Sequence, residues 1–238
     1  SAWTYAHELG RLHLEQTFPE EVTTECYENL TRDLAEKAIA DAIQKGCNII
    51  FTTTPEFVQA SVQAAIAHPE VKILNCSLNT SHRYIRTYYA RMYEAKFLMG
   101  AIAGAMAENG QLAYIADYPI FGTIANINAF ALGAKMVNPR AQIYLEWSTL
   151  KDVDLGIAMD NVIKKGVTVV SGQDMVIPED ASRYFGLYHI EKEGPRNLAM
   201  PLWHWGKFYE QLIRTIMDGT WKYDDNKDET KAINYWWG

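Results

Sequence analysis

A basic excess is missing from this sequence. Its 238 residues hold 22 Lys and Arg against 29 Asp and Glu, a formal charge of −7 with no long cationic run. A phosphate backbone needs a basic face, so the balance argues against nucleic acid as a partner. Long hydrophobic runs are missing as well. The longest nearly apolar stretch, Phe97 to Ala107, falls short of the roughly 20 residues that cross a bilayer. The opening Ser1-Ala2-Trp3-Thr4-Tyr5 has neither the basic start nor the apolar stretch of a leader, so an exported protein is expected to begin here after its processing point. Cysteine is scarce. Cys26, Cys47 and Cys76 cannot all pair, and none has a CxxC or Cys/His ligand spacing. They read as small buried residues near strands, leaning slightly toward a reducing compartment.

Catalytic signatures are also lacking. The chain contains no GxxxxGK[ST] loop, GxSxG elbow, HExxH pair or GxGxxG after a strand. Neither a metal nor a cofactor is expected, and no nucleophile–base pair stands out to make the chain an enzyme. A nucleoside hydrolase using Glu94 or Asp174 as base is the enzymatic reading to weigh against that. Gly100-x-x-x-Gly104 lies in a helical stretch, where it allows close packing against a neighbour. His7, Glu8, Arg11 and His13 share one stretch. They could build a site on a helix face, or be a surface or cap His beside an ion-paired Glu8. Asp152 and Asp154 bracket a helix start, where carboxylates cap amide groups.

What is present is a globular composition, 48% hydrophobic and 21% charged, in a regular alternation. Strands are expected at Glu21–Cys26, Cys47–Thr53, Val71–Cys76, Gln111–Ala116, Gln142–Trp147, Val167–Ser171 and Phe185–Ile190. Helices are expected at Thr4–Gln16, Arg32–Lys45, Phe57–Ala67, Tyr93–Glu108, Ile124–Met136, Asp152–Lys165 and Trp203–Met217. Strand runs apolar on both faces, such as Asn48-Ile49-Ile50-Phe51, suit interior strands of a parallel sheet. Gly46 after Gln44-Lys45 and Gly166 after Lys164-Lys165 mark helix ends, and Thr31 and Thr54-Pro55 mark starts. The fold class is α/β. The rhythm breaks between Cys76 and Tyr93, as at a crossing between two lobes, although an inserted hairpin in one sheet would break it too. The tail from Tyr223 to Gly238 reads as a late crossing or an edge strand.

The chain is rich in aromatics, with 7 Trp and 14 Tyr, and many lie at strand ends or helix starts. Trp3, Tyr5, Phe57, Tyr118, Phe121, Trp147, Trp203 and Trp205 all do so. In open α/β sheets ligands bind at the carboxyl ends of strands. Aromatics there, with Asp117, Gln173 and Asp174, suit a flat ring held by stacking and edge hydrogen bonds. Packing within the protein is the other use for such side chains.

Several stretches carry a resemblance. They are Ala2-Trp3-Thr4-Tyr5-Ala6-His7-Glu8-Leu9-Gly10-Arg11, Arg91-Met92-Tyr93-Glu94 through Gly100, Ile127-Asn128-Ala129-Phe130-Ala131-Leu132-Gly133-Ala134-Lys135, Val137-Asn138-Pro139, and Trp205 to Gly219-Thr220-Trp221. In this order they resemble the basic-membrane-protein family, the purine- and nucleoside-binding receptors of bacterial ABC importers. The resemblance implies a type I periplasmic-binding-protein fold of two Rossmann-like lobes joined by a hinge, with a ligand enclosed by the lobes. Mapped here, residues 1–90 with 201–222 form lobe one and 91–200 with 223–238 lobe two, hinged near 77–92 and 197–203. It implies ligand contacts at Trp3, Tyr5, Tyr93, Glu94, Gln173, Asp174, Trp203 and Trp205, to which the aromatic pattern adds Phe57, Tyr118, Phe121 and Trp147.

Two departures accompany the resemblance. The strand that opens family members, with the Asp at its end, has no counterpart before Ser1. Val176–Arg183, with Pro178, is short for the family's helix in that unit. The function implied is a non-catalytic solute-binding protein for a purine base or nucleoside, docking on an ABC permease. Its place would be extracytoplasmic, in the periplasm or lipid-anchored at the cell surface. A cytoplasmic ligand-sensing domain of the same fold is the alternative.

Overall fold

The computed structural model describes residues 2–77, 83–117, 119, 121–149, 154–174, 183–221 and 235–237. The chain divides into two compact units. One comprises Thr4–Ala90 and His204–Trp237, and the other Ser1–Trp3 and Arg91–Trp203. They are termed the first and second units below, with elements numbered along the chain.

The first unit holds most of α1 (Ala2–Thr17), then α2 (Arg32–Gln44), β1 (Ile49–Thr52), a 3-10 turn (Pro55–Phe57), α3 (Val58–Ala67), β2 (Lys72–Cys76) and β3 (Arg86–Ala90). Its sheet runs β1-β2-β3-β9, all parallel, where β9 (Tyr235–Trp237) is the edge strand beside β3, with Tyr88 opposite Tyr235. The α7 helix (Trp205–Met217) also belongs to this unit. Ala35 and Ile39 of α2, Ala60 and Ala65 of α3, and Val71, Ile73 and Ile85 form one apolar cluster. The second unit holds α4 (Met92–Met106), β4 (Gln111–Ala116), α5 (Phe121–Val137), β5 (Gln142–Trp147), α6 (Leu155–Lys164), β6 (Val169–Ser171), β7 (Leu187–Glu191) and β8 (Gly194–Ala199). Its sheet order is β5-β4-β6-β7-β8. The first three strands are parallel, and β7 and β8 add an antiparallel hairpin. One layer of core lies under α4 and α5, around Leu112, Tyr114, Phe130 and Val169. The other lies under α6, around Ala113, Val162, Val170 and Tyr188.

The alternation read from sequence is present, on two sheets rather than one with an inserted hairpin. Gly46 and Gly166 end their helices at φ 89° and 72°, a region an L side chain seldom enters. Asp154 caps α6 by accepting from the Ile157 amide at 2.9 Å, while Thr31 makes no side-chain cap at α2.

Other expectations fail. Glu21–Cys26 is not a strand. It has no ladder partner among the described residues, and Thr24 instead bonds to Arg11 and Glu15 of α1. The hairpin partner β8 was not anticipated, because Gly194-Pro195-Arg196-Asn197 lacks β-branched residues and its exposed edge tolerates proline. Of the tail assigned with residues 91–200, the described part, β9, pairs with β3 of the first unit. Only Cys76 is a buried thiol, Cys47 being half-buried and Cys26 exposed. Val176–Arg183 and Asp152 lie wholly or mostly outside the described residues. Among those residues no helix is long and apolar enough to cross a membrane.

Candidate functional site

A βα unit turns its chain around at the carboxyl end of each strand, so helix N-termini gather along one sheet edge. In the second unit this edge carries the first turns of α4 and α5, Asp117 after β4, Trp147 closing β5, and Gln173 and Asp174 after β6. Polar contacts tie the edge together. The Thr123 hydroxyl of α5 donates to Asp117 Oδ1 at 3.5 Å, Thr149 donates to the Asp117 carbonyl at 2.5 Å, and the Ser148 amide donates to the Ala116 carbonyl at 2.8 Å.

The strongest polar feature there is a buried ion pair. Lys96 of α4, with no exposed side-chain surface, donates from Nζ to Asp174 Oδ1 at 2.5 Å. It also donates to Ser171 Oγ at 3.1 Å, and its ammonium lies 5.0 Å from the centre of the Tyr114 ring. The Asp174 carboxyl is pushed above the usual carboxylate range, chiefly by burial; the Lys96 charge and hydrogen bond oppose that rise, and Asp117 adds a smaller upward push. Among the described residues Asp174 bonds to Lys96 through Oδ1 alone, which leaves Oδ2 as an acceptor. Sequence reasoning missed Lys96. The signal was available, since Met92, Lys96, Met99, Gly100 and Ala103 recur at helical spacing on the buried face of α4.

The other expected site residues separate into groups. Tyr93 and Glu94 lie in the first turn of α4, Tyr93 half-buried and Glu94 exposed and paired with Arg91 at 3.1 Å. Trp147 packs on the core of the second unit. Gln173 is exposed and bridges to Phe185. Trp3 and Trp203 meet edge to face, their rings 5.2 Å apart at 79°. Tyr118 lies outside the described residues, and Phe121 begins α5. In the first unit, Tyr5 is half-buried on α1, and Phe57 packs against the cluster of α2 and α3.

Trp205 is a core residue of the first unit rather than an open stacking face. It is 2% exposed, lies parallel to the His7 ring at 4.6 Å, and meets Tyr88 edge-on at 5.7 Å. His7 is likewise neither a surface nor a cap residue. Its Nδ1 is 2.6 Å from the Tyr209 hydroxyl, which is 3.1 Å from the Tyr88 hydroxyl. Burial pushes the His7 pKa down to about 3, so the imidazole is neutral. Arg11, one turn on, pairs with Glu8 at 2.6 Å, as the spacing predicts. At the carboxyl edge of this unit Asn75, unforeseen from sequence, donates to Thr52 Oγ1 at 2.8 Å and to the Thr54 carbonyl at 2.9 Å.

Known proteins place this architecture. The chain is similar to a solute-binding protein of an ABC transporter system from Conexibacter woesei, at a TM-score of 0.71 and 13% identity over 92% of this chain and 77% of that one. It is similar also to a transcriptional activator of the comK gene from Bacillus halodurans, at a TM-score of 0.68 and 14% identity over 98% of this chain and 82% of that one. These likenesses show the type I periplasmic-binding-protein fold. In sequence the chain is 28% identical to a purine-binding protein of Brucella abortus over 99% of its length, and it spans 68% of that protein. It is 25% identical to a Haloferax volcanii protein named for glucose binding in ABC transport, over 93% of this chain and 59% of that one. The family model for PnrA-like ABC transporter substrate-binding proteins matches residues 1–179. The chain belongs to the PnrA-like family of ABC transporter substrate-binding proteins.

Proposed function

We propose that this substrate-binding protein takes a purine base or nucleoside, without transforming it, and delivers it to an ABC permease from outside the cytoplasm. The observation that carries the reading is Asp174. Its carboxylate is held by a buried lysine at the carboxyl edge of a parallel sheet, with one oxygen uncommitted among the described residues. Purines offer what such a site needs, a flat π face with N–H donors on its rim. Tyr93 in the first turn of α4, and the Trp3–Trp203 pair, supply aromatic surface in the same unit. Stacking plus a few edge hydrogen bonds suffices for micromolar affinity, about −8 kcal/mol. The name of the Brucella abortus relative points the same way.

Isothermal titration with adenine, guanine, hypoxanthine and their nucleosides tests the reading, with glucose as the contrasting solute. Micromolar binding of at least one purine is expected, with nucleosides recovered intact by chromatography after incubation with stoichiometric protein. No heat and no melting shift with any purine at millimolar concentration would overturn it, and heat with glucose alone would move the reading to sugars.

A further inference from the structure

Lysine is an expensive residue to bury, because its ammonium must be desolvated and its protons must all find partners. Lys96 finds its partners within the second unit. One proton goes to Asp174 Oδ1, one to Ser171 Oγ, and the Tyr114 ring lies beside the charge. An apolar residue of equal length would suit the face of α4 on which Met92, Met99 and Ala103 are buried. A charge there is explained by what it does to Asp174.

We infer that Lys96 is a specificity-determining positioning residue: it holds Asp174 as an ionised acceptor and spends its own protons inside the protein, so that the site offers the ligand an acceptor and withholds a cation. The inference rests on the reading that Asp174 faces the ligand. The ligand class follows from it. At this point the site takes an amino group or a ring N–H and rejects a carboxylate, a phosphate or a bare carbonyl. Among the described residues, the charged and titratable groups facing Asp174 are Lys96 from α4, Tyr114 from β4 and Asp117 at the end of β4. Of these only Lys96 favours the carboxylate, so its removal leaves burial and Asp117 to drive Asp174 toward the neutral acid.

Three variants test this: Lys96→Met, Asp174→Asn and the pair combined. The first measurement uses ligand-free protein. Melting temperatures are recorded from pH 4 to pH 8. Without Lys96 the folded state prefers protonated Asp174 while the unfolded chain ionises near pH 4, so Lys96→Met is expected to lose stability against wild type as pH rises. Adding Asp174→Asn should remove that slope. A deficit in Lys96→Met that is constant across this range would overturn the inference, because it would make Lys96 a packing residue.

The second measurement compares 9-methyladenine with 9-methylpurine, which differ in the one amino donor. Wild type is expected to favour the former at least tenfold at pH 6, with the preference lost at that pH in Lys96→Met and reduced in Asp174→Asn. Equal affinity of wild type for the two rings would overturn the selectivity. Failure of wild type to bind any purine would overturn the ligand reading and the selectivity with it, while the melting series still decides what Lys96 does to Asp174.

Discussion

Replacing Gly133 by Ala should destabilise the second unit, and the structure says by how much. A β-carbon built on Gly133 of α5 falls 1.9 Å from the Phe97 carbonyl oxygen and 3.0 Å from the Ala101 amide nitrogen of α4. Ordinary contact begins at about 3.4 Å, so one helix must retreat by roughly 1.5 Å. The obstruction is backbone and cannot swing aside as a side chain would. The opposite face repeats it, since a β-carbon on Gly100 falls 2.0 Å from the Phe130 carbonyl oxygen and one on Gly104 falls 2.6 Å from that of Ala134. Overpacking costs about 1–3 kcal/mol where neighbours can adjust, and more where they cannot. The gain from a better helix former returns about 0.5–1 kcal/mol. A net loss of about 2 kcal/mol follows, or a fall of about 4–8 °C in melting temperature for a chain of this size.

Gly100→Ala should cost about as much. The double variant should cost less than the sum, because one separation of the helices relieves both clashes. Gly156→Ala on α6 is the control. Its nearest neighbour is the capping oxygen Asp154 Oδ1 at 3.2 Å, which need give only a few tenths of an ångström, so the helix-former gain is at most offset and a net change between about −1 and +1 kcal/mol is expected. Differential scanning calorimetry on the four variants decides the matter. Gly133→Ala and Gly100→Ala melting within about 1 °C of wild type would refute the reasoning.

Two further predictions concern pH. His7 stays neutral in the fold down to about pH 3 while the unfolded chain takes up a proton near pH 6.5. Protonation therefore favours the unfolded chain, so stability should fall as pH drops from about 6.5 to about 3, by about 1.4 kcal/mol per pH unit, and urea titrations of His7→Gln should lack that part of the slope. Glu210 gives a slope of the same sign from a different cause, its ionised form being held by cations. His13 at 2.8 Å, Lys207 at 3.0 Å and Arg214 at 2.9 Å hold its pKa down to about 2. Its stabilisation is complete above pH 4.5 and lost as pH falls toward 2, so Glu210→Gln should melt below wild type at pH 7 and converge with it near pH 2.

Periodicity made most of the framework legible. Strands β4 and β5 lie on the residues expected from their alternation, and Gly100-x-x-x-Gly104 does bring α4 against α5. Where the reading failed, the missing term was a partner distant in sequence. Glu21–Cys26 has the residues of a strand but no neighbour to pair with among the described residues, and a ladder needs two members. β8 is the reverse case. Its residues are poor strand formers, yet β7 lies alongside and supplies the ladder. Trp203 and Trp205 show how far helical phase alone can reach. The sequence reads both as opening one helix, but Trp205 is in step with Phe208, Tyr209 and Leu212 at the spacing of a buried face, whereas Trp203 precedes the helix.

The same argument carries to Lys96 and stops there. The phase of α4 places it among buried residues, and a buried ammonium demands an anion, so the existence of a partner could have been read from the sequence. The identity of that partner could not. Asp174 is 78 residues away, on a different element, and a chain with 29 acidic residues offers many candidates. Only the parallel pairing of β4 with β6, which sets Ser171 opposite Tyr114, brings the turn after β6 to the first turns of α4. The candidate site is thus a product of strand order, and what it can offer a ligand follows from which carboxylate that order delivers to a lysine already committed to the core.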